Sequence, residues 1–111
     1  MPWLLRDGDV VAAVEVATSL RARARGLLGR TGVDGAILLN PARSVHTLGM
    51  RFPIDVAFCR RDGQEMVVLD VTTMARHRLG RPRWHASCVI EAEAGAFERW
   101  RLAVGDRLEV R

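Results

Sequence analysis

Apolar residues fall in short runs along most of this chain, and their spacing changes from run to run. Val10-Val11-Ala12-Ala13-Val14-Glu15-Val16 is rich in β-branched residues and reads as a strand. Thr18-Ser19 then offers an N-cap. Leu20, Ala24, Leu27 and Leu28 recur at helical spacing, which predicts one main helix near residues 18–29, about three turns long. Gly29, or Gly32 just beyond, is expected to stop it. Ala36 to Leu39 is a short apolar strand ended by Asn40-Pro41. Phe52 to Cys59 alternates, with Phe52, Ile54, Val56 and Phe58 on one core-facing side. A turn over Arg60 to Gln64, with Asp62-Gly63 at its tip, leads into a returning strand from Met66 to Val71. Residues 75–86 read as a loop holding Gly80 and Pro82. Cys88 to Ala92 and Arg107 to Val110 are further strands, and a short second helix is expected near 95–101.

These roughly six strands and one main helix predict an α+β fold. The strands are expected to be mainly antiparallel, in a small barrel or sandwich, with the main helix over one opening. There is no repeated βαβ unit with nucleotide-binding glycines.

Length and composition narrow the class. The 111 residues suit one domain over 1–111, with 49% apolar residues to form a core. No apolar run approaches the ~18 residues of a membrane span. The opening Met1-Pro2-Trp3-Leu4-Leu5-Arg6-Asp7 is charged too early for a signal peptide, so a cytoplasmic location is expected. All 17 basic residues are arginine, and there is no tyrosine. A GC-rich genome explains most of that bias. Cys59 and Cys88 form no Cys-x-x-Cys pair and sit among apolar residues, so both are expected to be buried, reduced thiols.

Three stretches carry candidate chemistry. The first is Ser44-Val45-His46-Thr47-Leu48-Gly49-Met50-Arg51-Phe52-Pro53-Ile54-Asp55-Val56. Histidine is the side-chain type that titrates near neutral pH, so His46 with Asp55 is the candidate acid–base pair. Arg51 and Asp55 share the face opposite Phe52, roughly 13 Å apart along a straight strand. The plainer alternative is that Asp55 caps a turn or pairs with an arginine while His46 packs as a half-buried ring. The second stretch is the helix arginines Arg21, Arg23, Arg25 and Arg30, with no acid between Glu15 and Asp34. They suit an anionic small molecule or an acidic protein surface, or else form a solvated helix face. The third is the loop from Met74 to His85, with Arg76, Arg78, Arg81 and Arg83, two histidines and Trp84. Arginines beside an aromatic suit nucleic-acid backbone and base stacking, but no nucleic-acid motif accompanies them.

His46, His77 and His85 are the three histidines available for zinc, and nothing in the sequence fixes their geometry. Neither a metal nor a cofactor is expected. The leading reading is a small binding or interaction domain whose polar, cationic cleft uses His46, Thr47, Arg51, Arg25 and Arg30. One alternative is an enzyme using His46 and Asp55 on an anionic small molecule. The other is nucleic-acid contact through residues 76–83.

Three segments together resemble the domain of unknown function family 192. Arg23-Ala24-Arg25-Gly26-Leu27-Leu28-Gly29-Arg30 is similar to its Arg-Ala-x-Gly-Leu-Met-x-Arg segment. Pro53-Ile54-Asp55-Val56-Ala57-Phe58, followed by Asp62-Gly63, resembles its Pro-Leu-Asp-Ile-x-Phe strand and hairpin. Val89-Ile90-Glu91-Ala92-Glu93-Ala94-Gly95 and Gly105-Asp106 resemble its closing segments. Where many members carry Trp-Met-Lys-Asn-Thr, this chain has His46-Thr47-Leu48-Gly49-Met50, a histidine–threonine variant. The resemblance implies a compact domain of strands and helix and no established reaction. It marks Arg25, Gly26, Arg30, Asp55, Glu91, Gly105 and Asp106 as motif positions. Within it, an ion pair of Arg25 or Arg30 with Asp55 is the first contact to expect.

Overall fold

Asp7 and Gly8 both adopt positive φ, 54° and 83°, and turn β1 (Trp3–Arg6) back onto β2 (Asp9–Ala17). The two-residue Asp-Gly turn between apolar runs is a strong hairpin signal. The structure is a computed structural model and describes residues 2–111. The remaining elements are α1 (Leu20–Arg25), β3 (Ala36–Leu39), β4 (Ile54–Asp62), β5 (Glu65–Met74), β6 (Cys88–Glu93), α2 (Ala96–Trp100) and β7 (Arg107–Val110). The strands close into a barrel in the order β1-β2-β3-β6-β4-β5-β7. Among the described residues only β2 and β3 pair in parallel, with Val14 opposite Ala36. No helix among the described residues is long and apolar enough to cross a membrane.

The fold is therefore α+β with a closed barrel rather than a sandwich, and β1 supplies a seventh strand. Closure satisfies the edge hydrogen bonds that an open sheet would leave free. The β4–β5 turn is Gly63-Gln64, one residue later than expected, because Asp62 still pairs with Glu65.

Alternation places one apolar set inside the barrel and another outside it. Leu4, Val14, Leu38, Ala57, Cys59, Val68, Ile90 and Leu108 fill the interior. Phe97 and Leu102 close one end, so the plug is α2 and the turn after it, not the main helix. A second core lies on the outer face, where Phe52, Ile54, Val56, Phe58 and Val89 pack against Leu27, Val45 and Met50. As a result β4 is buried on both faces from Ile54 to Cys59. The side opposite Phe58 is barrel interior rather than a polar surface.

The main helix is shorter than its apolar spacing suggests. It covers Leu20–Arg25, not residues 18–29, and none of its own residues is buried. Ser19 caps its start by accepting from the Ala22 N–H at 3.1 Å. It stops at Gly26, whose φ of 49° and ψ of −124° suit only glycine. Leu27 therefore reaches the outer core from a turn, not from a helical face.

Two crossing segments roof the outer core, residues 40–53 and 75–87. Thr47 ties them together. Its hydroxyl donates to the Ala75 carbonyl at 2.6 Å and accepts from the Arg78 N–H at 2.9 Å. Its backbone adds Thr47 N–H to Arg78 O and His77 N–H to Thr47 O, both at 2.8 Å.

Candidate functional site

β6 alternates strictly, so Ile90 and Ala92 point into the barrel while Val89 and Glu91 point out. Glu91 emerges beneath the end of α1. A Cβ at Gly26 would lie 3.0 Å from Glu91 Oε1, so glycine is what lets the chain turn over this carboxyl. Glu91 is only 4% exposed and makes no side-chain hydrogen bond or ion pair among the described residues; no sealed side-chain oxygen there lacks a partner, so its carboxyl meets the cavity rather than closed protein. Burial alone pushes its carboxyl up to about 7.

Glu91 opens onto a cavity of about 300 Å³ between α1, the 40–53 segment and the barrel wall. Leu27, Leu39, Met50 and Ile54 give that cavity apolar walls. Arg25, Ser44 and His46 line its exposed mouth. Arg25 has no acidic partner among the described residues. Arg23 also lines the cavity, but its guanidinium is held by the carbonyls of Thr18 and Pro41 at 3.2 and 3.0 Å. His46 pairs through its backbone with Leu79, which fixes its position at the rim.

Of the five side chains expected in one cleft, the structure brings Arg25 and His46 together. Thr47 is fully buried and its hydroxyl is spent on the two roof segments. Arg51 is exposed and does not line the cavity. Arg30 forms a two-pronged ion pair with Glu15, at 2.9 and 2.7 Å. That contact holds the Glu15 carboxyl below its usual range.

Asp55 meets neither an arginine nor His46, which corrects the ion pair and the acid–base pair expected of it; the plainer expectation, that it caps a turn, is the one the structure shows. Its position on β4 faces the barrel end closed by α2. There it accepts from Thr73 Oγ1 at 2.7 Å, Gly95 N–H at 3.0 Å and Phe97 N–H at 3.1 Å. It is a cap supplied across the sheet to α2, whose own N-cap residue, Gly95, has no side chain to do so. His46 is on the outer side of the same wall, so the two do not form an acid–base pair.

The loop arginines divide. Arg83 pairs with Asp70 at 2.9 Å and lays its guanidinium 4.3 Å from the centre of the Phe58 ring. Arg76, Arg78 and Arg81 are exposed. His77 accepts from the Gly49 N–H at 3.2 Å. No group of three or more His, Cys, Asp or Glu side chains is arranged to hold a metal ion among the described residues. Cys59 and Cys88 are free, buried and directly opposite across β4 and β6. Contact with Cys88, then burial, raises the Cys59 thiol above its usual range.

Sequence reasoning missed Glu91 as a site residue. Its signal was an acid inside Val89-Ile90-Glu91-Ala92, a run with no polar face to carry it to solvent.

Fold and pocket together define a small closed β-barrel domain with a side cavity beneath a short crossover helix. Residues 4–110 match the domain of unknown function family 192, described as an uncharacterized ACR. The chain belongs to that family. It is 32% identical over 101 residues to a UPF0127 protein of Pyrococcus abyssi, covering 86% of this chain and 84% of that one. Two solved structures share the fold. One is a Novosphingobium aromaticivorans protein of unknown function, with 20% identity and a TM-score of 0.75 over 88% of this chain and 74% of that one. The other is a candidate transcription regulator of Sinorhizobium meliloti, with 22% identity and a TM-score of 0.81 over 98% of this chain and 91% of that one.

Proposed function

We propose that this chain is a single small binding domain that takes up a low-molecular-weight ligand with an anionic group in the cavity beneath α1. The observation that carries this reading is the cavity itself. It is apolar-walled, it has a buried carboxyl without a partner, and Arg25 and His46 stand at its mouth. Ligand pockets typically combine such walls with a few convergent polar groups. The Arg25 guanidinium at the opening, beside the His46 ring, favours an anion there. A binding role is favoured over acid–base catalysis because Asp55 is committed to capping α2.

A thermal-shift screen of small carboxylates and phosphates tests the reading, since a ligand bound to the native state raises its stability. The expected result is a dose-dependent rise in Tm that weakens in both Arg25→Ala and His46→Ala. A panel that leaves the wild-type Tm unmoved would sink the proposal.

A second reading, nucleic-acid contact, is supported by exposed Arg76, Arg78 and Arg81 next to Trp84, which is 73% exposed. Binding to a mixed oligonucleotide pool should then weaken steeply with added salt. Absence of binding at low ionic strength would remove it.

A further inference from the structure

We propose that the ligand of this cavity is a small aliphatic zwitterion, with an ammonium group against Glu91 at the floor and a carboxylate between Arg25 and His46 at the mouth. This rests on reading the cavity as a ligand site.

Three observations carry it. First, Glu91 is only 4% exposed, lines the cavity and makes no hydrogen bond or ion pair among the described residues, its oxygens open to the cavity rather than sealed in protein. Buried carboxylates in proteins are normally paired with a cation or fully hydrogen-bonded. A ligand ammonium would supply such a partner from the cavity side. Second, the mouth already carries Arg25 and His46, with Arg23 beside them. A bare amine passing the two arginines meets like charge, whereas one that brings its own carboxylate satisfies both ends. Third, the walls between the two ends are Leu27, Leu39, Met50 and Ile54, which match a short aliphatic chain and offer it no hydrogen bonds. A volume of about 300 Å³ is at the small end for ligand cavities and suits a molecule of this size.

The carboxyl's tendency to hold its proton to about 7 fits the same picture. The other charged or titratable groups lining the cavity are Arg23 and Arg25 from α1 and His46 from the 40–53 segment; β3 and β4 contribute Leu39 and Ile54. An arriving ammonium must displace the Glu91 proton below neutrality, so binding should weaken there.

The probes are γ-aminobutyrate, δ-aminovalerate and ε-aminocaproate, each compared by calorimetry with the matching carboxylic acid and the matching amine. At least one amino acid should bind about tenfold or more tighter than its parent acid, close to the value of one good ionic contact. That advantage should be about tenfold smaller at about pH 6 than at about pH 8. It should vanish in Glu91→Gln, a variant that keeps shape and removes a buried charge. If that variant failed to fold, the pH dependence of the wild-type protein would still decide. Acids binding as tightly as the amino acids, with no effect of Glu91→Gln, overturn the zwitterion and leave the anion pocket standing. No response to these probes, but a response to the anion panel, has the same meaning. No response to either overturns the pocket reading itself.

Discussion

Gly26 and Glu91 are 65 positions apart in the chain, yet the backbone of the first roofs the carboxyl of the second so closely that a side chain there would force the carboxyl to shift. The contact is close enough that a Cβ would meet Oε1 at 3.0 Å. It joins the end of α1 to β6 and sets the depth of the cavity.

Replacing Gly26 tests that relationship. Gly26→Ala adds a Cβ at a φ of 49°, which strains any L side chain, and brings it to 3.0 Å from the Glu91 carboxyl, which must shift toward the cavity. The expected cost is about 1–3 kcal/mol, from strain in a sparsely populated backbone region. Urea unfolding measures it. In the same variant the ligand-induced rise in Tm should shrink. An alanine variant as stable as wild type would show that the roof is not held against Glu91.

Glu91 itself gives a pH dependence with a definite sign. Its carboxyl titrates near 7 in the folded chain against an ordinary value of 4.5. The folded state therefore holds its proton over a range where the unfolded state has lost it. Stability from this group is unpenalised below about 4.5, falls as pH rises, and reaches its lowest level above about 7. The full difference is about 3 kcal/mol, an upper figure for a single carboxyl. Glu91→Gln should gain about 1–3 kcal/mol over wild type at about pH 8 and little at about pH 4. Parallel stability curves for the two proteins across that range would contradict the assignment.

Much of this arrangement was legible in the sequence, and the failures have physical causes. Phe52, Ile54, Val56 and Phe58 do share an apolar face. What alternation could not reveal was that Ala57 and Cys59, small and apolar, line a barrel interior on the other side. The helix was overextended because Leu27 and Leu28 fit the 3.6 period, while the glycine that ends it answers to Glu91, a distant residue. Asp55 and His46 looked like a pair from nine residues away in sequence. The β4 wall separates them, and no local pattern reports which side of a wall a preceding turn will take.

Asp55 provides a stability test of the α2 plug. Asp55→Ala removes three hydrogen bonds, from Thr73 Oγ1, Gly95 N–H and Phe97 N–H, and leaves the buried Phe97 N–H unsatisfied. A loss of about 2–4 kcal/mol is expected. Hydrogen exchange should be fastest-rising at the Phe97 amide, because α2 loses its cap before the barrel opens. Thr73→Val removes only one of the three bonds and should cost less. If Thr73→Val matched Asp55→Ala, the backbone donors would carry none of the effect.

Adjacent positions His46 and Thr47 should separate function from framework. Thr47 is fully buried, and its hydroxyl bridges the Ala75 carbonyl and the Arg78 N–H. Thr47→Val preserves volume and shape but strands both partners, so unfolding should become easier by about 1–3 kcal/mol. His46 is exposed, and its side chain makes no hydrogen bond among the described residues. His46→Ala should therefore change stability by no more than about 0.5 kcal/mol. Ligand response should follow the reverse order, lost with His46→Ala and kept by folded Thr47→Val at a temperature well below its Tm. Denaturant unfolding and the anion screen on the same two variants check both halves. Should Thr47→Val be neutral and His46→Ala destabilising, the histidine would be the strut and the cavity mouth would have to be sought elsewhere.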